Sequence, residues 1–163
     1  MLSHPTVGEL RVTVYRALGL LSAGSGYAEP LRALGFGGGG EVLVAADEAG
    51  NSVLGTVTLE PFSPASELAK EDTEADIRAL AVAPSAQGGG VGRKLLAAVI
   101  ERAEQRRVRR LRLYTRPEME AAQHLYATIG FSRTPELDFS RGPGVTLRAY
   151  ELALPHTEQI GLP

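Results

Sequence analysis

The stretch Glu74 to Leu96 reads EADIRALAVAPSAQGGGVGRKLL. Its first nine residues, EADIRALAV, are an apolar-rich run closed by Ala83-Pro84, the pattern of a strand entering a turn. From Val91 onward, Val91, Leu95, Val99, Ile100 and Ala103 recur along one side of a 3.6-residue period, which predicts an amphipathic helix over Val91 to Arg106. Between strand and helix, four of the five residues from Gly88 to Gly92 are glycine. Glycine is costly to order, so this concentration at a helix mouth predicts that something approaches the backbone closely. The first turn of a helix leaves about four N–H donors unpaired, and its macrodipole adds roughly half a positive charge. The turn is therefore a candidate phosphate cradle.

Working outward, residues 8 to 21 (GELRVTVYRALGLL) place Leu10, Val14, Leu18 and Leu21 at helical spacing and predict a first helix, broken by Ser22 to Gly26. Tyr27 to Leu34 reads as a short second helix, with Pro30 tolerable in its first turn. Gly35 to Gly40 formally satisfies G-x-G-x-x-G, but a strand-like run, Glu41 to Ala46, follows it where the dinucleotide fingerprint requires a helix. It reads as a mobile loop. Glu41 to Ala46, the turn Asp47 to Asn51, and Ser52 to Glu60 form a hairpin by alternation and turn chemistry. Residues 61 to 73 are a loop rich in Pro, Ser and acid. Downstream come a strand at Arg109 to Thr115 with Leu111 and Leu113 on one face, and a helix at Met119 to Ile129 closed by Gly130. A short strand near Phe131 to Arg133 and a last one at Val145 to Leu152 complete the order. This is an α/β chain: a mixed sheet with helices on both faces.

Composition excludes much chemistry. At 163 residues, 44% hydrophobic and 22% charged, the chain is expected to be one globular domain spanning 1 to 163. A net charge of -2 gives no global attraction to nucleic acid or acidic membranes. The basic cluster Arg102 to Arg110 sits at a helix C-terminus, where positive charge is favourable, and carries no interleaved aromatics for base stacking. No apolar run approaches the roughly 20 residues of a membrane span, and MLSHPTVGEL lacks the features of a signal peptide. A cytoplasmic protein without nucleic-acid or membrane partners is expected. The absence of cysteine excludes disulfides, thiolate metal sites and an acyl-cysteine intermediate. His4, His124 and His156 show no metal-ligand spacing, so no metal is expected. Catalysis must then rest on positioning, carboxylates, tyrosines and backbone dipoles.

Two phosphate-binding templates fail against the glycine turn. A Walker A loop needs Ser or Thr after its Lys, but Leu95 follows Lys94; the Rossmann spacing from Gly88 and Gly90 meets Arg93 where a third glycine is required. A third template fits. Gln87-Gly88-Gly89-Gly90-Val91-Gly92 resembles the Q/R-x-x-G-x-G/A signature of the Gcn5-related N-acetyltransferase (GNAT) family. About 35 residues on, Ala122-Gln123-His124-Leu125-Tyr126-Ala127-Thr128-Ile129-Gly130-Phe131 is similar to that family's A-x-x-L-Y-x-x-x-G-F helix. The resemblance covers roughly residues 8 to 152. It departs at two places: the family's first strand looks truncated or absent before Gly8, and Met119 stands where many members carry Asn.

The resemblance implies a GNAT-type fold of six or seven strands, mostly antiparallel with one splayed parallel pair, and about four helices. Acetyl-CoA as co-substrate would lie in the splay, its pantetheine arm pairing with the backbone of Leu80, Ala81 and Val82. Gln87, Gly88, Gly89, Gly90, Val91, Gly92 and Arg93 would hold its pyrophosphate, with Met119 and Ala122 beside the arm. A backbone N–H near Val82 would serve the thioester oxygen. Tyr126 is implied as general acid, although its spacing also suits a core tyrosine. Asp76, or Glu74 beside it by period two, is implied as base, although Asp76 also suits a structural ion pair with Arg78 or another arginine. The function implied is acetyl transfer to a primary amine, on a small molecule or a protein, in a ternary complex. The alternative is a CoA-binding sensor module without turnover. The acceptor pocket is expected from Tyr15 to Leu34, Pro61 to Thr73 and Pro135 to Gly144. Glu67 to Asp72 reads as a solvated loop, and a homodimer through the last strands is a family-type expectation.

Overall fold

The computed structural model describes residues 4–21, 26–35 and 39–155. Helix α1 (His4–Ala17) and helix α2 (Ala28–Ala33) come first. Strands β1 (Glu41–Ala46), β2 (Val53–Pro61) and β3 (Glu74–Val82) follow, then helix α3 (Val91–Gln105) and strand β4 (Arg110–Thr115). Helix α4 (Glu120–Ile129) leads to strands β5 (Ser132–Arg133), β6 (Phe139–Gly142) and β7 (Val145–Ala153). Among the described residues these seven strands form one sheet in the order β1-β2-β3-β4-β7-β5, with β6 also on β7. Every pairing is antiparallel except β3 with β4.

Periodicity accounts for the main core. Helix α3 buries Leu95, Leu96, Val99 and Ala103 against Val57, Leu59, Ala75, Ile77, Leu111 and Leu113, while Val91 and Ile100 of the expected stripe are only partly covered. Burying side chains of this kind is worth roughly 1.5–3 kcal/mol each. The other sheet face is covered by α1 and α2, where Val12, Leu21 and Leu31 form a second cluster.

Helix α1 departs from expectation. It begins at His4 rather than Gly8 and ends at Ala17, leaving Leu18 outside it and 41% exposed. Its inward face carries Val7, Arg11, Val12 and Val14 instead of a Leu10/Leu18 stripe. The reason is Arg11, which is fully buried and donates to Leu31 O (3.1 Å), Leu34 O (2.7 Å) and Thr58 Oγ1 (2.8 Å), tying α1 to α2 and β2. A buried charge is tolerated when it is bonded in this way. The Gly35 to Gly40 loop and the 22–26 break fall partly on residues 36–38 and 22–25, outside the described residues. Two arginines of the basic cluster are occupied internally: Arg102 (2.7 Å) and Arg106 (2.9 Å) both pair with Glu41. No helix among the described residues is long and apolar enough to cross a membrane.

Candidate active site

Strands β3 and β4 pair only at Glu74 with Arg110, Ala75 with Leu111, and Asp76 with Arg112. Beyond that register β3 stays on β2 as far as Val82, and β4 stays on β7 as far as Thr115, so the two strands part from Ile77 onward. A bulge marks the parting. Thr58 faces Arg78 but Thr56 faces Ala81, so Ala79 and Leu80 together oppose Val57, and Ala79 adopts φ +56°. Bulges bend a strand and re-aim its groups, and a non-glycine residue at positive φ is strain held by its surroundings. Ala83 N–H donates to Leu54 O. By antiparallel alternation the backbone groups of Ala81 face β2, whereas those of Leu80 and Val82 face the gap. The backbone groups of Leu80 and the N–H of Val82 thus lie open to an added strand, whereas those of Ala81 face β2.

The gap runs into the glycine turn. Helix α3 starts on Gly90 (φ +84°) with no side-chain cap, and Gly88 is likewise at φ +82°. A Cβ at either position would point into open space. The first helical bond is Lys94 N–H to Gly90 O, so the N–H groups of Gly88, Gly90, Val91, Gly92 and Arg93 have no partner among the described residues. The Gln87 amide folds back to Val82 O (3.3 Å), bracing the turn against the end of β3. No acidic residue stands in the first turn of α3, yet Arg93 and Lys94 do, both exposed. Cations at the positive end of a helix dipole are locally unfavourable. An anion at the turn resolves the conflict and meets the unpaired donors. This donor set fits the pyrophosphate of acetyl-CoA.

Tyr126 lies on α4, 4% exposed, its ring tilted against Phe131 (5.7 Å) and Tyr150 (6.0 Å). Burial, reinforced by Tyr15 and Tyr150, pushes its hydroxyl above the ordinary tyrosine range, so it stays protonated. The hydroxyl bonds to no described residue and is free to donate. Three residues before it on α4, Gln123 was not anticipated by sequence. Its amide donates to Arg116 O and Pro117 O (3.1 Å each) and accepts from Arg148 and from the Tyr150 hydroxyl, holding the start of α4 to β4 and β7. Met119 precedes α4, and its sulfur lies 3.7 Å from the Thr115 hydroxyl. Ala122 packs partly buried on the core.

Asp76 and Glu74 are placed differently from Tyr126. Asp76 is 1% exposed and accepts from Leu68 N–H (3.0 Å) and Ala69 N–H (2.9 Å), one on each oxygen. It makes no ion pair with Arg78, which reaches Glu67 (2.9 Å) and Glu60 (3.5 Å) instead. Glu74 accepts from Lys70 N–H (2.8 Å) and from Arg112 (3.1 Å). For Glu74, burial alone would raise the carboxyl, but the Lys70 N–H and the Arg112 guanidinium outweigh it and hold it below its ordinary range. For Asp76, burial wins over the two N–H bonds and raises the carboxyl to about 6. The pair staples residues 68 to 70 down on β3. Leu68 and Ala69 are accordingly buried, while Glu67, Lys70, Glu71 and Asp72 stay exposed, so the Glu67 to Asp72 segment is a solvated loop docked at its two apolar residues.

This staple has a pH signature. The folded-state value of Asp76, about 6, lies above the ordinary 3.8, so the folded protein binds the proton more tightly than the unfolded chain. The stabilisation is fully present below the unfolded value and is lost as pH rises through the folded one. Wild type should therefore gain about 2 kcal/mol on Asp76→Asn between pH 7.5 and pH 4.5 in urea unfolding. A difference that does not change with pH would contradict this reading.

Where the strands part, a cavity of about 250 Å³ opens between α1, α2, the docked loop and the β6–β7 hairpin. Its polar wall comprises Tyr15, Tyr27, Glu67, Arg78, Tyr114, Arg116 and Arg141, with Ile77 and Ala79 of the splayed strand and Met119 completing it. Glu67 Oε1 receives both Arg78 (2.9 Å) and Arg141 (3.2 Å), and Tyr114 donates to Leu137 O (2.9 Å). Sequence reasoning named the segments around Tyr15, Glu67 and Arg141 but not Arg78, Tyr114 or Arg116 as wall residues. Period two puts Arg78 on the Asp76 face; nothing local signals where β4 departs. Among the described residues no group of three or more His, Asp or Glu side chains could hold a metal.

The family model described as "Acetyltransferase (GNAT) family" matches residues 23–131. Over 98 residues, 59% of this chain, the sequence is 36% identical to mycothiol acetyltransferase of Cellulomonas flavigena, and the match spans 28% of that relative's length. The fold is similar to that of a GNAT-family acetyltransferase from Staphylococcus aureus Mu50, with a TM-score of 0.71 at 17% identity over 93% of each chain. It is also similar to a GCN5-related N-acetyltransferase from Kribbella flavida, with a TM-score of 0.69 at 24% identity over 93% of this chain and 92% of that one.

Proposed function

The chain belongs to the acetyltransferase (GNAT) family, and from that premise we propose that it transfers the acetyl group of acetyl-CoA directly to a primary amine. One observation carries the proposal: five unpaired N–H groups and two first-turn cations converge at the mouth of α3, beside the open edge of β3. Gly88 to Arg93 would bind the pyrophosphate, with Gln87 bracing the turn. The backbone groups of Leu80 and the N–H of Val82 would take the pantetheine arm as an added strand, the Val82 carbonyl being held by Gln87. An N–H near Val82 would also polarise the thioester oxygen. Bound acetyl-CoA supplies the electrophilic carbon: the N–C bond forms, the C–S bond breaks, the amine gives up a proton and the departing sulfur gains one.

Tyr126 is the proton donor in this account. A buried phenol held protonated can offer its proton to the sulfur as charge develops there; the thiol is the stronger acid, so the phenolate left behind takes a proton back, and the proton released by the amine completes the balance. Asp76 and Glu74 act as positioning residues, because their oxygens already hold the loop that closes the acceptor cavity. The amine proton would leave through water in that cavity, and neither carboxylate takes it directly. Thiol release from acetyl-CoA that depends on an added amine, with N-acetyl product seen by mass, is the expected outcome. Acetyl-CoA binding without amine-dependent thiol release would favour a sensor module instead.

A further inference from the structure

We propose that the acceptor is a small primary amine that also carries a carboxylate, gripped by the guanidiniums that line the cavity; this rests on the acetyl-transfer reading above. Three guanidiniums, Arg78, Arg116 and Arg141, face the cavity against one carboxylate, Glu67. The other carboxylates that pair with them, Glu60 and Glu118, do not line it. The lining therefore carries more guanidiniums than carboxylates, with Glu60 and Glu118 pairing from outside it. A carboxylate that enters meets guanidinium donors from three stretches of chain.

The cavity already displays how a carboxylate would be held. Arg78 and Arg141 approach from different elements, β3 and the β6–β7 hairpin, and both meet the single oxygen Glu67 Oε1. Arg116 adds an unsatisfied donor. Its Nε is buried and forms no aligned hydrogen bond, although Glu118 Oε2 lies 3.2 Å away. Guanidiniums are the side chains whose planar donors match a carboxylate. Glu67 rides on the loop anchored by Asp76 through the adjacent Leu68 and Ala69, so it occupies this grip as an internal competitor. A volume of about 250 Å³ lies below the roughly 300–1,000 Å³ of drug-sized pockets, which suits a small amino acid better than a folded partner.

The test uses matched amines differing only in the carboxylate: L-phenylalanine against phenethylamine, and L-leucine against 3-methylbutylamine. Each is offered with saturating acetyl-CoA under a thiol-release readout. The carboxylated member of each pair should have the higher kcat/KM by about tenfold or more. Arg141→Gln should raise its KM by about tenfold with kcat little changed, and should erase the preference. Glu67→Gln should act in the opposite direction, lowering KM about threefold by releasing both guanidiniums. A destabilised fold would not produce opposite shifts, and unchanged acetyl-CoA affinity in both variants confirms folding. Equal turnover within pairs, a preference that survives Arg141→Gln, or acetylation confined to amines without a carboxylate overturns the inference and leaves acetyl transfer standing. Failure to bind acetyl-CoA removes the reading beneath it as well.

Discussion

Replacing Tyr126 with Phe should lower kcat for acetyl transfer by about two to three orders of magnitude and leave acetyl-CoA affinity within about twofold. The substitution removes one oxygen and keeps the ring that packs against Phe131 and Tyr150. No hydrogen bond to a described residue is lost, so stability should hold or rise slightly. The rate loss isolates the proton given to the departing sulfur. Because burial keeps the phenol protonated well above neutral pH, wild-type kcat should show no falling limb from Tyr126 below about pH 10. A tyrosine that serves only the core would give a variant with unchanged rate.

Gly90→Val should weaken acetyl-CoA binding by about tenfold or more while kcat at saturating acetyl-CoA falls much less. Gly90 sits at φ +84°, and a Cβ there would meet nothing within 4 Å, so the harm is conformational rather than a clash. A left-handed backbone costs an ordinary L-residue roughly 1–2 kcal/mol, and a β-branched one is a worse tenant. Relaxing that angle turns away the N–H groups of Val91, Gly92 and Arg93 that now point outward together. The expected pair of readouts is a lower melting temperature and a lost affinity. A turn without a binding role would show the first without the second.

Much of the scaffold was legible because local chemistry and tertiary packing agree. EADIRALAV is a strand over the same residues in the fold, and the helix after the glycine turn begins at Val91 as its period indicates. Legibility failed where a distant residue decides. Arg11 lies on the inward face of α1 because carbonyls of α2 and the Thr58 hydroxyl receive it, which no helical period announces. Strand β6 escaped notice because Phe139 to Gly142 has no buried alternation, with Phe139 itself 53% exposed, and owes its form to pairing with β7. Ala79 at φ +56° gives no compositional hint of a bulge. The charges of the acidic loop are solvated as their composition indicates, whereas the staples that bury Leu68 and Ala69 between them come from β3 and have no local signal. The same limit hid the arginine-lined cavity, whose wall is assembled from six separate stretches of chain.

On the proposed function, the mouth of α3 and the open edge of β3 together would hold acetyl-CoA by its pyrophosphate and pantetheine arm. Calorimetric titration with acetyl-CoA, and separately with S-acetyl-pantetheine, which lacks the pyrophosphate and the nucleotide, tests it most directly. The account predicts micromolar binding of acetyl-CoA and a loss of about a hundredfold or more for the truncated ligand, given the strength of hydrogen bonds to a charged phosphate. Equal affinity for the two ligands, or no heat with either, would contradict it.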